Sequence, residues 1–289
     1  MSTNTSYWST LVDVASLHSA IGREDMVLLD CRSVLTDPDA GARMYDEGHL
    51  PGAFHANLER DLSDMAKLVQ GRHPWPRASD FARTLARWGV TPQTQVVAYD
   101  ADNGMYAARA WCVLQMMGHE RVAVLDGGLK AWQDAGFPIT TDTPETRGGS
   151  EPYPGDFEHA RLFDHEDVAA HVAHGGLLVD ARAPERFRGE VEPIDHAAGH
   201  VPGAVNRPFT ANLTADGRFK SREDLFAEFA ELLGGHTPSD MVAMCGSGVT
   251  ACHHLLAMAH AGLQGAKLYK GSWSGWISDP ARPVMTGPS

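Results

Sequence analysis

Four cysteines in 289 residues are too few for a disulfide scaffold and fit a reducing, cytoplasmic setting. Positive charge is also short. The 24 Lys and Arg against 37 Asp and Glu leave a formal net charge of −13, which argues against nucleic acid or an anionic membrane as partner. No apolar run approaches the roughly 20 residues of a membrane span. The opening Met1-Ser2-Thr3-Asn4-Thr5-Ser6-Tyr7 lacks the basic-then-apolar pattern of a secretory leader. Cys245, Cys252, His253 and His254 lack a second ligand pair at metal-site spacing, so neither a metal nor a cofactor is expected. What is present is an ordinary globular composition, 43% hydrophobic and 21% charged, at a length that suits two domains.

The chain repeats itself. Val27-Leu28-Leu29-Asp30-Cys31-Arg32 returns as Leu177-Leu178-Val179-Asp180-Ala181-Arg182, and Gly48-His49-Leu50-Pro51-Gly52-Ala53 as Gly199-His200-Val201-Pro202-Gly203-Ala204. Leu125-Asp126-Gly127-Gly128, with Trp132 beyond, is echoed by Leu268-Tyr269-Lys270-Gly271, with Trp276 beyond. Three motifs in one order at nearly one spacing predict duplicated domains, over 7–139 and 159–289. Residues 140–158 join them. Their core, Thr140 to Pro152, is rich in Pro, Gly and Thr and reads as a linker.

Each half alternates short apolar runs with amphipathic ones. Met26–Asp30, Gln95–Tyr99 and 121–125 read as buried strands in the first half; Leu177–Asp180, Met241–Met244 and 266–269 do so in the second. A helix is expected over 79–88, with Ser79 as N-cap and Gly89 closing it. Another follows Ser221 to about Leu233 and is closed by Gly234. The fold class is α/β: two tandem domains, each a mainly parallel sheet covered by helices on both faces. Ligands on such sheets bind beyond the carboxyl ends of the strands.

Cys245 stands at such an end, in Cys245-Gly246-Ser247-Gly248-Val249-Thr250-Ala251-Cys252, before a helix expected over 249–261. The loop can curl with its N–H groups inward, and the helix aims its positive end at the same spot. A thiol there is favoured as thiolate, the nucleophilic form. In the first half, Asp100 falls where Cys245 falls, and Ala101-Asp102-Asn103-Gly104 offers no nucleophile. The first copy is therefore expected to be catalytically silent. A cysteine phosphatase of the Cys-x5-Arg type would need arginine where Ala251 stands.

The paired Gly-His-x-Pro-Gly-Ala elements, the Cys-Gly-Ser-Gly-Val-Thr loop and the terminal Gly-Ser-Trp-x-x-Trp resemble the two-domain rhodanese-type sulfurtransferases. The loop is most similar to the mercaptopyruvate branch; the thiosulfate branch usually carries basic residues where Gly246 and Ser247 stand. The resemblance implies transfer of a sulfane sulfur from a small anionic donor, 3-mercaptopyruvate or thiosulfate, to Cys245. The persulfide so formed would be cradled by Gly246, Gly248, Val249 and Thr250, then discharged to cyanide or a thiol. It also implies that Ser247 works with a histidine, matched by His73, and with an acid. Glu59 is preferred slightly over Asp61 for that acid. Arg186 matches the arginine that holds the donor anion.

Two departures stand out. A second arginine, usual nine residues after Arg186, is replaced by Asp195 in a segment about two residues short, so Arg188 or another base must compensate, or mercaptopyruvate is not the best donor. Lys270 stands where the family often has an acid, and reads as a solvated lysine. Cys252 reads as a packed helix residue; His49 and His200 read as turn formers; Trp111, Trp132, Trp273 and Trp276 read as packing residues. The alternative from another class is a non-catalytic sulfur-carrier or binding module.

Overall fold

The computed structural model describes residues 7–145, 148 and 151–288. The chain forms two compact units. The first holds the residues up to Asp61 and Arg77–Phe157; the second holds Leu62–Pro76 and everything from Glu158 onward. A segment of the first sequence repeat thus folds with the second unit.

The first unit runs β1 (Leu11–Val12), α1 (Val14–Ala20), β2 (Met26–Asp30), α2 (Ala40–Glu47), β3 (Ala53–His55), α3 (Ala78–Arg87), β4 (Gln95–Tyr99), α4 (Ala107–Met116), β5 (Val122–Leu125) and α5 (Gly128–Asp134). The second runs β6 (Leu162–Phe163), α6 (His165–Ala173), β7 (Leu177–Asp180), α7 (Pro184–Phe187), β8 (Ala204–Asn206), α8 (Arg222–Leu233), β9 (Met241–Met244), α9 (Thr250–His260), β10 (Lys267–Tyr269) and α10 (Ser272–Trp276). Both sheets have five strands in the same spatial order, β1-β5-β4-β2-β3 and β6-β10-β9-β7-β8. Every pairing between these strands is parallel. Their central strands are buried along their whole length, as expected of sheets covered on both faces.

The duplication extends to single contacts. Arg32 donates to Asp30 and to Gly48 O, and Arg182 donates to Asp180 and to Gly199 O; all four side chains are buried. His49 stacks on Tyr45 and its backbone bridges Thr140; His200 stacks on Phe187 and its backbone bridges Met285. These histidines hold turns, as the repeat suggested. The tryptophans donate to backbone carbonyls within their own units, Trp132 to Pro138 O and Trp276 to Pro283 O.

Two local expectations need correction. Helix α3 starts at Ala78, with Arg77 at the N-cap and no side-chain cap. Ser79 lies inside the first turn, because Ala78 is a strong helix former and is drawn in ahead of it. The second concerns 140–158. Thr146, Arg147, Gly149 and Ser150 lie outside the described residues, but the far end of the segment is anchored to the first unit. Tyr153 N donates to Ala82 O at 3.2 Å, its hydroxyl meets His119 Nδ1 at 3.0 Å, and Phe157 stacks near Phe81. Among the described residues no helix is long and apolar enough to cross a membrane.

Candidate active site

Cys245 follows β9, whose last residue, Met244, is in register with Asp180 of β7. Three bonds fix the loop against α10. Trp273 N donates to Cys245 O at 2.9 Å, Ser274 N donates to Gly246 O at 2.9 Å, and Cys245 N donates to Ser272 Oγ at 3.1 Å. The chain then turns at Gly248, where φ is +78°, a value that favours glycine, and enters α9. Gly248 N–H donates to Cys245 Sγ at 3.1 Å. Cys245 is only 2% exposed, so the sulfur rests under a closed loop. Cys252 is buried in α9 with its thiol on Gly248 O, a packed helix residue as expected.

The first unit holds the same loop with a different occupant. Leu129 N and Lys130 N donate to Asp100 O and Ala101 O at 2.8 Å each, matching the bonds of Trp273 and Ser274 to Cys245 and Gly246. The Asp100 carboxylate is buried and accepts from the N–H groups of Gly104, Tyr106 and Ala107, at the start of α4. Burial raises its pKa, and the three amides pull the other way without cancelling that rise. In this copy the helix end is filled by the chain's own anion.

Segment Leu62–Pro76 carries a 3-10 helix over Met65–Gln70 that packs on α10. Its next residues reach the cysteine loop. A Cβ on Gly71 would stand 2.8 Å from Gly271 O, so only glycine fits there. Arg72 N donates to Ser274 Oγ at 3.0 Å. His73 Nδ1 lies 2.8 Å from Ser247 Oγ, with both residues buried. The structure therefore brings Cys245, Ser247 and His73 together within the second unit. Glu59, the preferred acid, lies half-buried in the first unit, where Asn57 Oδ1 accepts its backbone N–H. Asp61 is a buried residue of that unit and accepts from Arg60, Arg87 and Asn57 N.

Arg186 is held by Glu192 through Nε and Nη2, at 3.1 and 2.7 Å, and by Asp195 through Nη2 at 3.1 Å. Burial works to raise the pKa of Glu192, but Arg186 and the N–H groups of Asp195 and Ile194 outweigh it and keep the carboxyl below its usual range. Arg188 is in an ion pair with Glu190. Arg72 is the residue that sequence reasoning passed over. It pairs with Asp195, and its Nη2 lies 3.0 Å from where a Cβ on Gly246 would sit, with Arg186 Nη1 at 3.7 Å from the same point. The available signal was its place beside His73, together with the missing arginine at 195. Lys270 is half-buried and lines a cavity of about 260 Å³ with Asp164, His165 and Arg282.

The rhodanese-like domain family matches residues 13–135 and 164–279. A probable 3-mercaptopyruvate sulfurtransferase of Pseudomonas aeruginosa is 48% identical over 96% of this chain and 98% of its own. A thiosulfate sulfurtransferase of Gallus gallus is 35% identical over 81% and 80%. Among solved structures, the 3-mercaptopyruvate sulfurtransferase SseA from Escherichia coli superposes with a TM-score of 0.79 at 31% identity, covering 92% of this chain and 100% of that one. With the same sheet twice over and a cysteine loop in the second copy alone, the chain belongs to the two-domain rhodanese-type sulfurtransferases.

Proposed function

We propose that the chain moves a sulfane sulfur from 3-mercaptopyruvate or thiosulfate to cyanide or a thiol through a persulfide on Cys245. The observation that carries this reading is the loop: a cysteine sulfur that accepts an amide N–H, at the start of a helix and beside a His73–Ser247 pair.

Cys245 thiolate attacks the donor sulfur, and the C–S bond breaks with its electron pair going to carbon. The leaving group is the enolate of pyruvate. The proton of the donor thiol ends on that carbon, so pyruvate leaves and the persulfide stays anionic. Ser247, hydrogen-bonded to His73, is the relay for this proton. The acid that the resemblance implies for this relay, Glu59 or Asp61, belongs to the first unit. With thiosulfate the S–S bond breaks instead and sulfite leaves, with no proton to place. The inner end of α9 and the N–H groups of Gly246, Gly248, Val249 and Thr250 stabilise the persulfide anion. Arg186 holds the donor carboxylate or sulfonate, as a guanidinium fork suits; Arg188, paired with Glu190, is the lesser candidate. An acceptor nucleophile then takes the outer sulfur and returns the thiolate. A reducing compartment such as the cytoplasm suits a chain that works through a free thiol.

The test is thiocyanate formation from each donor with cyanide. Cys245→Ser should abolish it, and full activity in that variant would sink the reading. Ser247→Ala should slow the mercaptopyruvate reaction by about 10²-fold or more while sparing thiosulfate, because only the first needs the proton. Intact-mass measurement separates an enzyme from a carrier: a gain of one sulfur that acceptor discharges over many turnovers supports catalysis.

A further inference from the structure

We propose that the cavity of about 260 Å³ at the start of α6, lined by Gln70, His165, Lys270 and Arg282, binds a small oxyanion, a carboxylate or a sulfate-like group, and that filling it tightens Leu62–Pro76 over α10. No lining residue belongs to the cysteine loop, and the site does not depend on the sulfurtransferase reading.

The cavity offers hydrogen-bond donors that the chain does not use. Lys270 stands where the family often has an acid. It is half-buried, and its ammonium has no hydrogen bond or ion pair among the described residues. A cation withdrawn from water calls for an anion beside it. Arg282 spends Nη1 on Gly275 O and Trp276 O, at 2.8 and 2.9 Å, and its Nη2 stands 3.9 Å from Asp279; Nε has no hydrogen bond among the described residues. His165 supplies the third donor. Burial keeps the Tyr269 hydroxyl protonated, and burial with the charges of Arg282 and Lys270 holds the imidazole pKa below its usual value. The hydroxyl therefore donates to His165 Nδ1, at 2.5 Å, and the ring hydrogen sits on Nε2, which has no partner among the described residues. Two carboxylates share the lining. Asp164 Oδ1 is taken by the N–H groups of Glu166 and Asp167, at 3.0 and 3.1 Å, and Glu166 lies exposed at the rim. An acid at 270 would add a third negative group; the lysine reverses the balance. The net charge of −13 opposes this only weakly, since charges beyond roughly 8–10 Å are screened.

The cavity is completed by a segment that reaches the cysteine loop. Gln70 precedes Gly71, Arg72 and His73, and its carbonyl lies close over α10: a Cβ on Gly275 would stand 2.6 Å from Gln70 O. A Cβ on Gly271 would stand 2.7 Å from His165 Cε1. Two glycines thus let Gln70 and the imidazole close on α10, and the full lining exists only while the segment is docked. A ligand that needs the docked form stabilises it by mass action.

The experiment is nitrogen-15 NMR of the full chain, titrated at constant ionic strength with pyruvate, with sulfate and with L-alanine. The reporter is the Trp276 indole N–H, which donates to Pro283 O at 2.9 Å with Arg282 5.9 Å from its ring; Trp276→Phe identifies the signal. Pyruvate or sulfate should shift it saturably, and whichever binds names the source as organic or inorganic. Lys270→Gln should raise the midpoint by about tenfold or more, as for a lost charge-assisted hydrogen bond, and Lys270→Arg should restore it to within about threefold. A signal that neither anion moves, or a midpoint unchanged in Lys270→Gln, overturns the site. L-alanine binding as tightly as the better anion overturns the anion class in favour of a zwitterion. The Arg72 amide, which donates to Ser274 Oγ, reads the second half of the proposal. At ten times the wild-type midpoint its hydrogen exchange should slow about fivefold more in wild type than in Lys270→Gln. Equal slowing in the two overturns the link to the docked segment.

Discussion

Ser272 sits at φ +50°, the one non-glycine residue with positive φ among those described. Its counterpart in the first unit, by their shared place at the start of α5 and α10, is Gly128 at φ +56°. A serine there costs about 1–3 kcal/mol of backbone strain. Two hydrogen bonds offset it: Ser272 Oγ donates to Tyr269 O and accepts from Cys245 N, both at 3.1 Å. Ser272→Gly relieves the strain but loses both bonds, and Ser272→Ala loses both and keeps the strain. Urea unfolding should therefore rank alanine below glycine by about 1 kcal/mol, the reverse of their order in a helix. A second residue governs acid behaviour. His254 is fully buried in α9, with Nε2 donating to Arg207 O at 2.7 Å and Nδ1 accepting from Asn212 Nδ2 at 3.0 Å. Burial holds its pKa down to about 3, against 6.5 for the ordinary imidazole. The native ring stays neutral while the unfolded one takes a proton. This stability is whole above pH 6.5 and drains as pH falls toward 3, by about 1.4 kcal/mol per unit. His254→Leu should be less stable at pH 7 and show a shallower decline in urea melts between pH 6 and 4.

The two loops after β4 and β9 are the same element put to different uses. Both hang by paired backbone bonds from the short helix beyond the next strand, α5 or α10, and both lead into a longer helix, α4 or α9. Asp100 fills its helix end with a carboxylate; Cys245 leaves that place to a sulfur. Asp100→Ala should destabilise the first unit by about 3 kcal/mol, since three amides lose a buried acceptor. The effect should appear in a thermal melt, and donor kcat/KM at a temperature where the variant is folded should stay within about twofold. Sequence periodicity reads the core of this element well. β2, β4, β7 and β9 stand where the apolar runs put them, because strands buried on both faces need continuous Val, Leu, Met and Ala. Among the two- and three-residue strands, β1, β3, β6 and β8 carry no such run, and their pairing depends on a neighbour far away in sequence. Arg72 escaped for the same reason: nothing local to Gly71-Arg72-His73-Pro74 says that it meets Asp195.

At the scale of the whole molecule, the repeat announces two like domains and the structure bears out their common fold. It does not announce that the chain crosses between the units more than once. Leu62–Pro76 lies inside the first repeat by sequence and inside the second unit by packing. No composition shift marks that excursion, because its residues are selected by groups on α10 and the cysteine loop. The net charge of −13 is likewise legible at once, whereas the two guanidinium groups that face Gly246 are not.

That excursion sets a timetable during synthesis. Arg72 and His73 leave the ribosome long before Ser247 and Ser274 exist to receive them. At about 5–20 residues per second, the delay is roughly 10–40 s. Over that interval the nascent chain must carry a dangling strap, docked only when the last helices emerge. In chains halted near residue 160, trypsin should cut after Arg72, and the completed protein should resist at that bond. The nascent chain is thus exposed at the very stretch that finishes the site.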